Sequence, residues 1–230
     1  MKHNNDVCVV IPVYNEGQII QTTVEGVRKK YPFVVCVNDG SKDNSAAEIE
    51  QTGALLINHP INMGQGAALQ TGFEFALQNP QLRYFVTFDA DGQHRVEDVD
   101  SMLAYLRAHP QTDIVLGSRF LGKAENIGWL KRLVFKLAIQ FSNRTTGITL
   151  SDTHNGLRVC NRKVAEALNI TMPDMAHASE IIHRIAEKKF RVHEMPVTIN
   201  YTDYSKAKGQ PLMNAVNITF DILLQRLTRK

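Results

Sequence analysis

The chain has 230 residues, 43% of them apolar and 21% charged, with a net charge of +3. This is the make-up of a globular protein with a sizeable core, and it excludes a disordered chain, a collagen-like fibre and a disulfide scaffold. Three scattered cysteines without a CxxC pair argue against zinc or redox work, and no apolar run approaches the roughly 20 residues of a spanning helix.

The first half alternates short apolar runs with helical patterns. Val7–Val13 (VCVVIPV) predicts a buried strand and Gly17–Lys30 an amphipathic helix. Phe33–Val37 predicts a second strand, followed by a short helix over Asp43–Gln51 opened by capping residues. Ala54–Ile57 is a third strand, Gln65–Leu77 an alanine-rich helix, Tyr84–Phe88 a fourth strand, Val96–Ala108 a helix and Asp113–Leu116 a fifth strand. Near-continuous apolar strands alternating with helices predict an α/β protein with a parallel sheet covered on both faces. The second half is less regular. Trp129–Arg144 reads as a basic amphipathic helix, Arg162–Leu168 and His177–Lys188 as helices, Val192–Tyr201 as strand broken at Pro196, and Leu212–Leu227 as a last helix. No repeat or linker interrupts the chain, so one domain over residues 1–230 is expected.

Charge divides the chain. Residues 1–118 hold 8 basic and 14 acidic residues, net −6; residues 119–230 hold 18 and 9, net +9. A basic second half is either a solvated face or the side that meets an anion: a phosphate-bearing substrate, an anionic membrane surface or nucleic acid. The N-terminus carries no secretory segment, so a cytoplasmic protein is expected.

Ligands of parallel α/β sheets gather at the carboxyl ends of the strands. Here five consecutive strand ends carry polar residues: Tyr14-Asn15-Glu16, Asn38-Asp39-Gly40-Ser41, Asn62-Met63-Gly64-Gln65-Gly66, Asp89-Ala90-Asp91-Gly92-Gln93-His94 and Gly117-Ser118-Arg119. Asp89 and Asp91 repel each other unless a cation intervenes. Mg²⁺ or Mn²⁺ suits such oxygen ligands and binds through one or two carboxylates plus substrate phosphates, with Gln93 offering a further oxygen. Asp89 also has a plain capping role open to it. Asp39 reads as a hydrogen-bond partner for a nucleobase, with Glu16 nearby, and a turn or capping role is open to it as well. Neither a dinucleotide fingerprint nor a Walker lysine is present.

These segments, in this order over residues 7–160, resemble family 2 glycosyltransferases. The match is to the dolichyl- or polyprenyl-phosphate mannose/glucose synthase-like branch, with elements similar to bacterial surface-polysaccharide enzymes. The resemblance implies a GT-A fold with a Rossmann-like, mostly parallel central sheet flanked by helices. It implies a nucleotide-diphosphate sugar donor, Mg²⁺ or Mn²⁺, and inversion at the anomeric carbon. Residues 1–118 would form the nucleotide-sugar half and residues 119–230 the acceptor half with a C-terminal amphipathic helix. By the same resemblance Pro12, Tyr14, Glu16, Val37 and Asp39 would hold the nucleoside, while Asp89, Ala90 and Asp91 line the diphosphate. Asp91, Gln93 and Asp89 would face the metal, and Arg119 the phosphates or the acceptor. Asn38 stands where the family more often has Asp.

The expected reaction is a single displacement, with Lys206, Lys208 and Arg158 adding positive charge at the leaving diphosphate. A polyprenyl-phosphate acceptor is already an anion and needs no base; a lipid-linked saccharide hydroxyl does. Glu180 and Asp152 lead as candidate bases, with His154 beside them; each also has an ordinary polar-face, cap or turn reading. The basic segments at Trp129–Arg144 and Leu212–Lys230 are either packed helices with a wet face or a peripheral anchor to the inner face of the cytoplasmic membrane. A homo-oligomer stays open. Two alternatives are kept: a sugar-nucleotide nucleotidyltransferase, which lacks its basic glycine-rich loop here, and a non-catalytic phosphate- or nucleic-acid-binding module, which leaves the acidic strand ends unexplained.

Overall fold

The computed structural model describes residues 4–122, 139–140, 142–172 and 176–200. Within them the elements run β1 (Val7–Val13), α1 (Ile20–Arg28), β2 (Phe33–Asp39), α2 (Ser45–Thr52), β3 (Leu55–His59), α3 (Gln65–Leu77), β4 (Tyr84–Thr87), α4 (Val96–Ala108), β5 (Ile114–Ser118), β6 (Arg158–Asn161), α5 (Arg162–Ala167), α6 (Ala176–Glu187) and β7 (Val192–Pro196). The seven strands form one sheet in the order β3-β2-β1-β4-β6-β5-β7. Every pairing is parallel except those of β6, which runs antiparallel between β4 and β5.

Period-two alternation explains why β1 is apolar throughout. Val7, Val9, Ile11 and Val13 enter one core with α1 and α4; Cys8 and Val10 enter the other with α3 and α6. A strand covered on both faces has no polar side to present. Helix α1 buries Ile20, Val24 and Val27, spaced to line one stripe. The three cysteines are buried and free.

Sequence reasoning did not anticipate β6. Arg158-Val159-Cys160-Asn161 is short and begins with a charge, so its pattern says little; pairing on both sides makes it a strand. Residues 139–140 and 142–144 of the expected Trp129–Arg144 helix are helical, and the helix runs on to residue 146. The rest of that segment and the expected helix Leu212–Leu227 lie outside the described residues.

Two connections set the site. The chain moves outward from β1 to β2 and β3, then returns across β1 to β4. The crevice at such a reversal, between the carboxyl ends of β1 and β4, is where open α/β sheets take ligands. On the opposite edge Arg162 closes the end of α3: its Nη1 donates to the carbonyls of Asn79 (2.9 Å) and Leu82 (3.1 Å), and its Nη2 to that of Leu77 (2.6 Å). Charge-assisted bonds to the carbonyls of a helix end and of the loop after it are among the stronger kind. Arg162→Ala is expected to lower the unfolding free energy by about 2 kcal/mol in urea titration; a loss under about 0.5 kcal/mol would mean that water replaces the guanidinium at no cost.

Candidate active site

The loops after β1 and β2 are laced together. Asn15 N donates to Ser41 Oγ (2.9 Å), Glu16 N to Ser45 Oγ (2.8 Å) and Gly17 N to Asp43 Oδ2 (2.9 Å), while Lys42 N donates to Asn15 Oδ1 (2.8 Å). The Asn38–Ser45 segment thus shapes the loop that carries Tyr14 and Glu16. Tyr14 stands exposed at the crevice, and Pro12 and Val37 lie opposite each other in the β1–β2 register.

Asp39 is buried and occupied. Its Oδ1 accepts from His59 Nδ1 (2.7 Å) and Met63 N (2.9 Å), and its Oδ2 from Gly64 N (2.8 Å). The carboxylate therefore draws the β3–α3 loop against β2. Gly40, at φ +69°, leaves no room for a Cβ beside Ile61 and Asn62. This turn-anchoring arrangement is one of the two roles that the sequence left open for Asp39. His59 was not singled out from the sequence; its signal was only its place two residues past the third apolar run.

At the end of β4, Asp89 Oδ2 accepts from His94 Nε2 (2.8 Å) and Oδ1 from Gln65 Nε2 (3.2 Å). His94 packs edge-on against Phe88. A Cβ on Gly156 would overlap the Asp89 carboxylate, and one on Gly66 would overlap the Met172 carbonyl, so both approaches require glycine. Burial would lift the Asp89 pKa, but the hydrogen bond and charge of His94, then the charges of Arg158 and His177, outweigh it and hold the group below the usual carboxylate range.

Asp91 differs. Burial, the negative charge of Asp89 and, more weakly, that of Glu16 push its pKa up to about 6, against the opposing pull of the Gln93 N–H and His94. Its oxygens accept from Gln93 N (3.0 Å) and Gln93 Nε2 (2.7 Å). Among the described residues no three His, Cys, Asp or Glu side chains form a ready-made metal cage. A carboxyl whose pKa is raised by burial and by a like charge is nevertheless a position that a hard cation fits, because the cation removes the repulsion.

Arg119, half-buried, and Asp152, buried, pair after β5: Asp152 Oδ2 accepts from Arg119 Nε (2.6 Å) and Arg119 N (3.1 Å). Arg158 opens β6 opposite Thr87 and Leu116, between the ends of β4 and β5, and there feels both Asp89 and Asp152. It is buried, and among the described residues its Nη1 has no hydrogen-bond partner. His154, two residues from Asp152, has its pKa lowered to about 4 by burial, with the Arg119 and Arg158 charges adding to the effect and Asp152 opposing it. Its imidazole is neutral at physiological pH.

The structure thus gathers Glu16, Asp89, Asp91, Gln93, Arg158 and His177 on one side, and Arg119, Asp152 and His154 beside them. Glu180 is engaged elsewhere: its carboxylate accepts from Thr171 N (2.9 Å), Thr171 Oγ1 (2.8 Å) and Met172 N (2.8 Å), so it closes the turn before α6. Lys206 and Lys208 lie outside the described residues.

The sequence profile of glycosyl transferase family 2 matches residues 8–168. Two relatives span nearly the same length. The UDP-N-acetylglucosamine–dolichyl-phosphate N-acetylglucosaminyltransferase of Methanococcus voltae is 27% identical, covering 95% of this chain and 95% of its own. The polyprenol monophosphomannose synthase of Mycolicibacterium smegmatis is 26% identical, covering 90% and 83%. Among solved structures, glucosyl-3-phosphoglycerate synthase from Mycobacterium tuberculosis, in complex with Mn²⁺, uridine-diphosphate and glucosyl-3-phosphoglycerate, superposes with a TM-score of 0.72 at 15% identity. The match covers 98% of this chain and 80% of that one, and the fold is the same.

The raised pKa of Asp91 has a thermodynamic consequence. Between its ordinary value of about 4 and about 6, the folded state keeps a proton that the unfolded chain has released, so stability falls as pH rises through that window. Asp91→Asn, which cannot ionise, is expected to be more stable than the parent by about 1–3 kcal/mol at pH 8, with the gap closing near pH 4. Equal denaturant midpoints at pH 8 would contradict this account of the site.

Proposed function

This chain belongs to glycosyl transferase family 2, and we propose that it transfers a hexose from a nucleotide-diphosphate sugar to a polyprenyl phosphate, inverting the anomeric carbon in one displacement. The observation that carries this reading is the charge arrangement at the sheet edge. A carboxyl raised to about pH 6 lies at the β1–β4 switch point, and an arginine is held by its own carboxylate two strands away.

Strand spacing orders the ligands. The end of β5 lies about 10 Å from that of β4 and about 19 Å from that of β2, counting neighbouring strands at about 4.8 Å. A nucleoside on the β1–β2 side, against Pro12, Tyr14, Glu16 and Val37, therefore puts its diphosphate at Asp89–Asp91 and leaves Arg119 for the acceptor. Asp39, whose oxygens already take three donors, holds the loop around the nucleoside. Mg²⁺ or Mn²⁺ would be held by Asp91 with Gln93 and Asp89 beside it, and would offset charge on the leaving diphosphate.

The two relatives are named for dolichyl-phosphate and polyprenol acceptors, and a phosphate oxygen attacks without prior deprotonation. That agrees with the engagement of both leading base candidates, Glu180 by the Thr171–Met172 turn and Asp152 by Arg119. As the new bond to the anomeric carbon forms, the bond to the diphosphate oxygen breaks and its electron pair leaves with the nucleotide; Arg158 sits where that charge develops. A saccharide hydroxyl would require a base instead, and for that acceptor class the neutral imidazole of His154 is the group on offer.

No helix among the described residues is long and apolar enough to cross a membrane. Ile61, Met63 and Leu121 are exposed on loops at the site's edge, an apolar rim suited to resting on the inner leaflet where a polyprenyl acceptor would be met. The decisive assay offers UDP- and GDP-sugars with Mg²⁺ or Mn²⁺ to undecaprenyl phosphate and, separately, to a lipid-linked saccharide. Label is expected to pass to the polyprenyl phosphate, with Asp91→Ala slower by at least about 100-fold. Transfer to the saccharide alone would sink the phosphate-acceptor reading and move attention to His154.

A further inference from the structure

The most developed geometry that this chemistry leaves unused lies behind Arg119. Parallel pairing of β7 with β5 sets Glu194 level with Leu116, two residues before Ser118. From there its carboxylate reaches the loop that leads into β6. Ser151 N donates to both oxygens (3.0 and 2.8 Å), and Ser151 Oγ (3.0 Å) and Asp152 N (3.1 Å) donate to Oε1. Ser151 Oγ also lies 2.7 Å from Ser118 Oγ, which accepts from Leu121 N (3.3 Å). Asp152 then takes Arg119 through both its backbone N–H and its Nε.

These contacts form a strut in two steps. Glu194 fixes the backbone of residues 151–152, and Asp152 fixes the arginine. An ionised carboxylate is acceptor-only and makes stronger bonds to N–H groups than a neutral side chain does. Without it, the two N–H groups would look for water and Asp152 would lose its fixed base. The hydrogen bonds that Glu194 and Asp152 make in this strut lie on the β5–β7 side.

We propose that Glu194 is a positioning residue: it clamps Ser151 and Asp152 so that the Arg119 guanidinium meets an anionic acceptor in one orientation, which sets affinity for the acceptor and not for the nucleotide. The inference rests on the reading of Arg119 as the acceptor-side cation.

The test compares Glu194→Ala, Glu194→Gln and the parent in steady-state transfer to undecaprenyl phosphate, together with hydrogen exchange of the Arg119 Nε–H by NMR, its signal identified by its loss in Arg119→Lys. The alanine variant is expected to raise KM for the acceptor at least tenfold, to leave KM for the nucleotide sugar within twofold, and to expose the Arg119 Nε–H to fast exchange. Glutamine keeps an acceptor oxygen for the two N–H groups and is expected to recover most of the acceptor KM. If the alanine variant does not fold, Glu194→Asp, with the same charge on a stem one methylene shorter, carries the same expectation. An Arg119 Nε–H that stays protected in a folded variant, or donor and acceptor KM rising together, would overturn the proposal. The exchange measurement needs no turnover. Should the parent not use undecaprenyl phosphate, the acceptor reading falls and exchange alone decides the strut.

Discussion

Two carboxylates two residues apart at the end of a buried strand impose the condition that the rest of this edge meets. Neither can sit in a low-dielectric crevice without compensation. Asp89 receives it from four directions: His94 from the following loop, Gln65 from the start of α3, Arg158 from β6 and His177 from α6. Gly156 and Gly66 carry no side chain where these elements crowd together. Among the described residues Asp91 receives hydrogen bonds from Gln93 alone, and it faces the charges of Asp89 and Glu16. The pair is therefore split into one settled carboxylate and one unsettled one, and the unsettled one stands where a cation has the most to contribute.

The antiparallel insertion of β6 gives the edge its span. By separating β5 from β4 it sets Arg119 and Asp152 one further strand away from the acidic pair, and it places Arg158 in the gap with a view of both carboxylates. A purely parallel arrangement with β5 beside β4 would bring Arg119 about 5 Å closer. The spacing suits a donor and an acceptor that approach a common carbon from opposite ends.

Much of what reads as ligand-binding sequence is also loop scaffolding. Ser41, Asp43 and Ser45 hold the backbone after β1, and Asp39 holds the backbone after β3. Glu194 does the same for the loop before β6. Backbone N–H groups in loops have no ladder to join, so short acceptor side chains at neighbouring strand ends satisfy them. Loops laced this way have their backbone N–H groups satisfied by the protein's own side chains.

The sequence by itself determined the alternation of strands and helices, the burial of both faces of the sheet and the gathering of polar residues at one edge, because period and strand-end position are local properties. It also placed Asp89, Asp91, Gln93 and Arg119 at that edge. What only the tertiary structure decided was partnership. Glu180 shows no local sign that it will be absorbed by Thr171 and Met172, and Glu194 shows none that it will reach Ser151 and Asp152, 43 and 42 residues away along the chain. Nor does RVCN announce a strand before β4 and β5 stand on either side of it. Hydrogen-bond partners and pKa values depend on which elements meet across the sheet, and that follows from the packing of the whole chain, not from the spacing of neighbours within it.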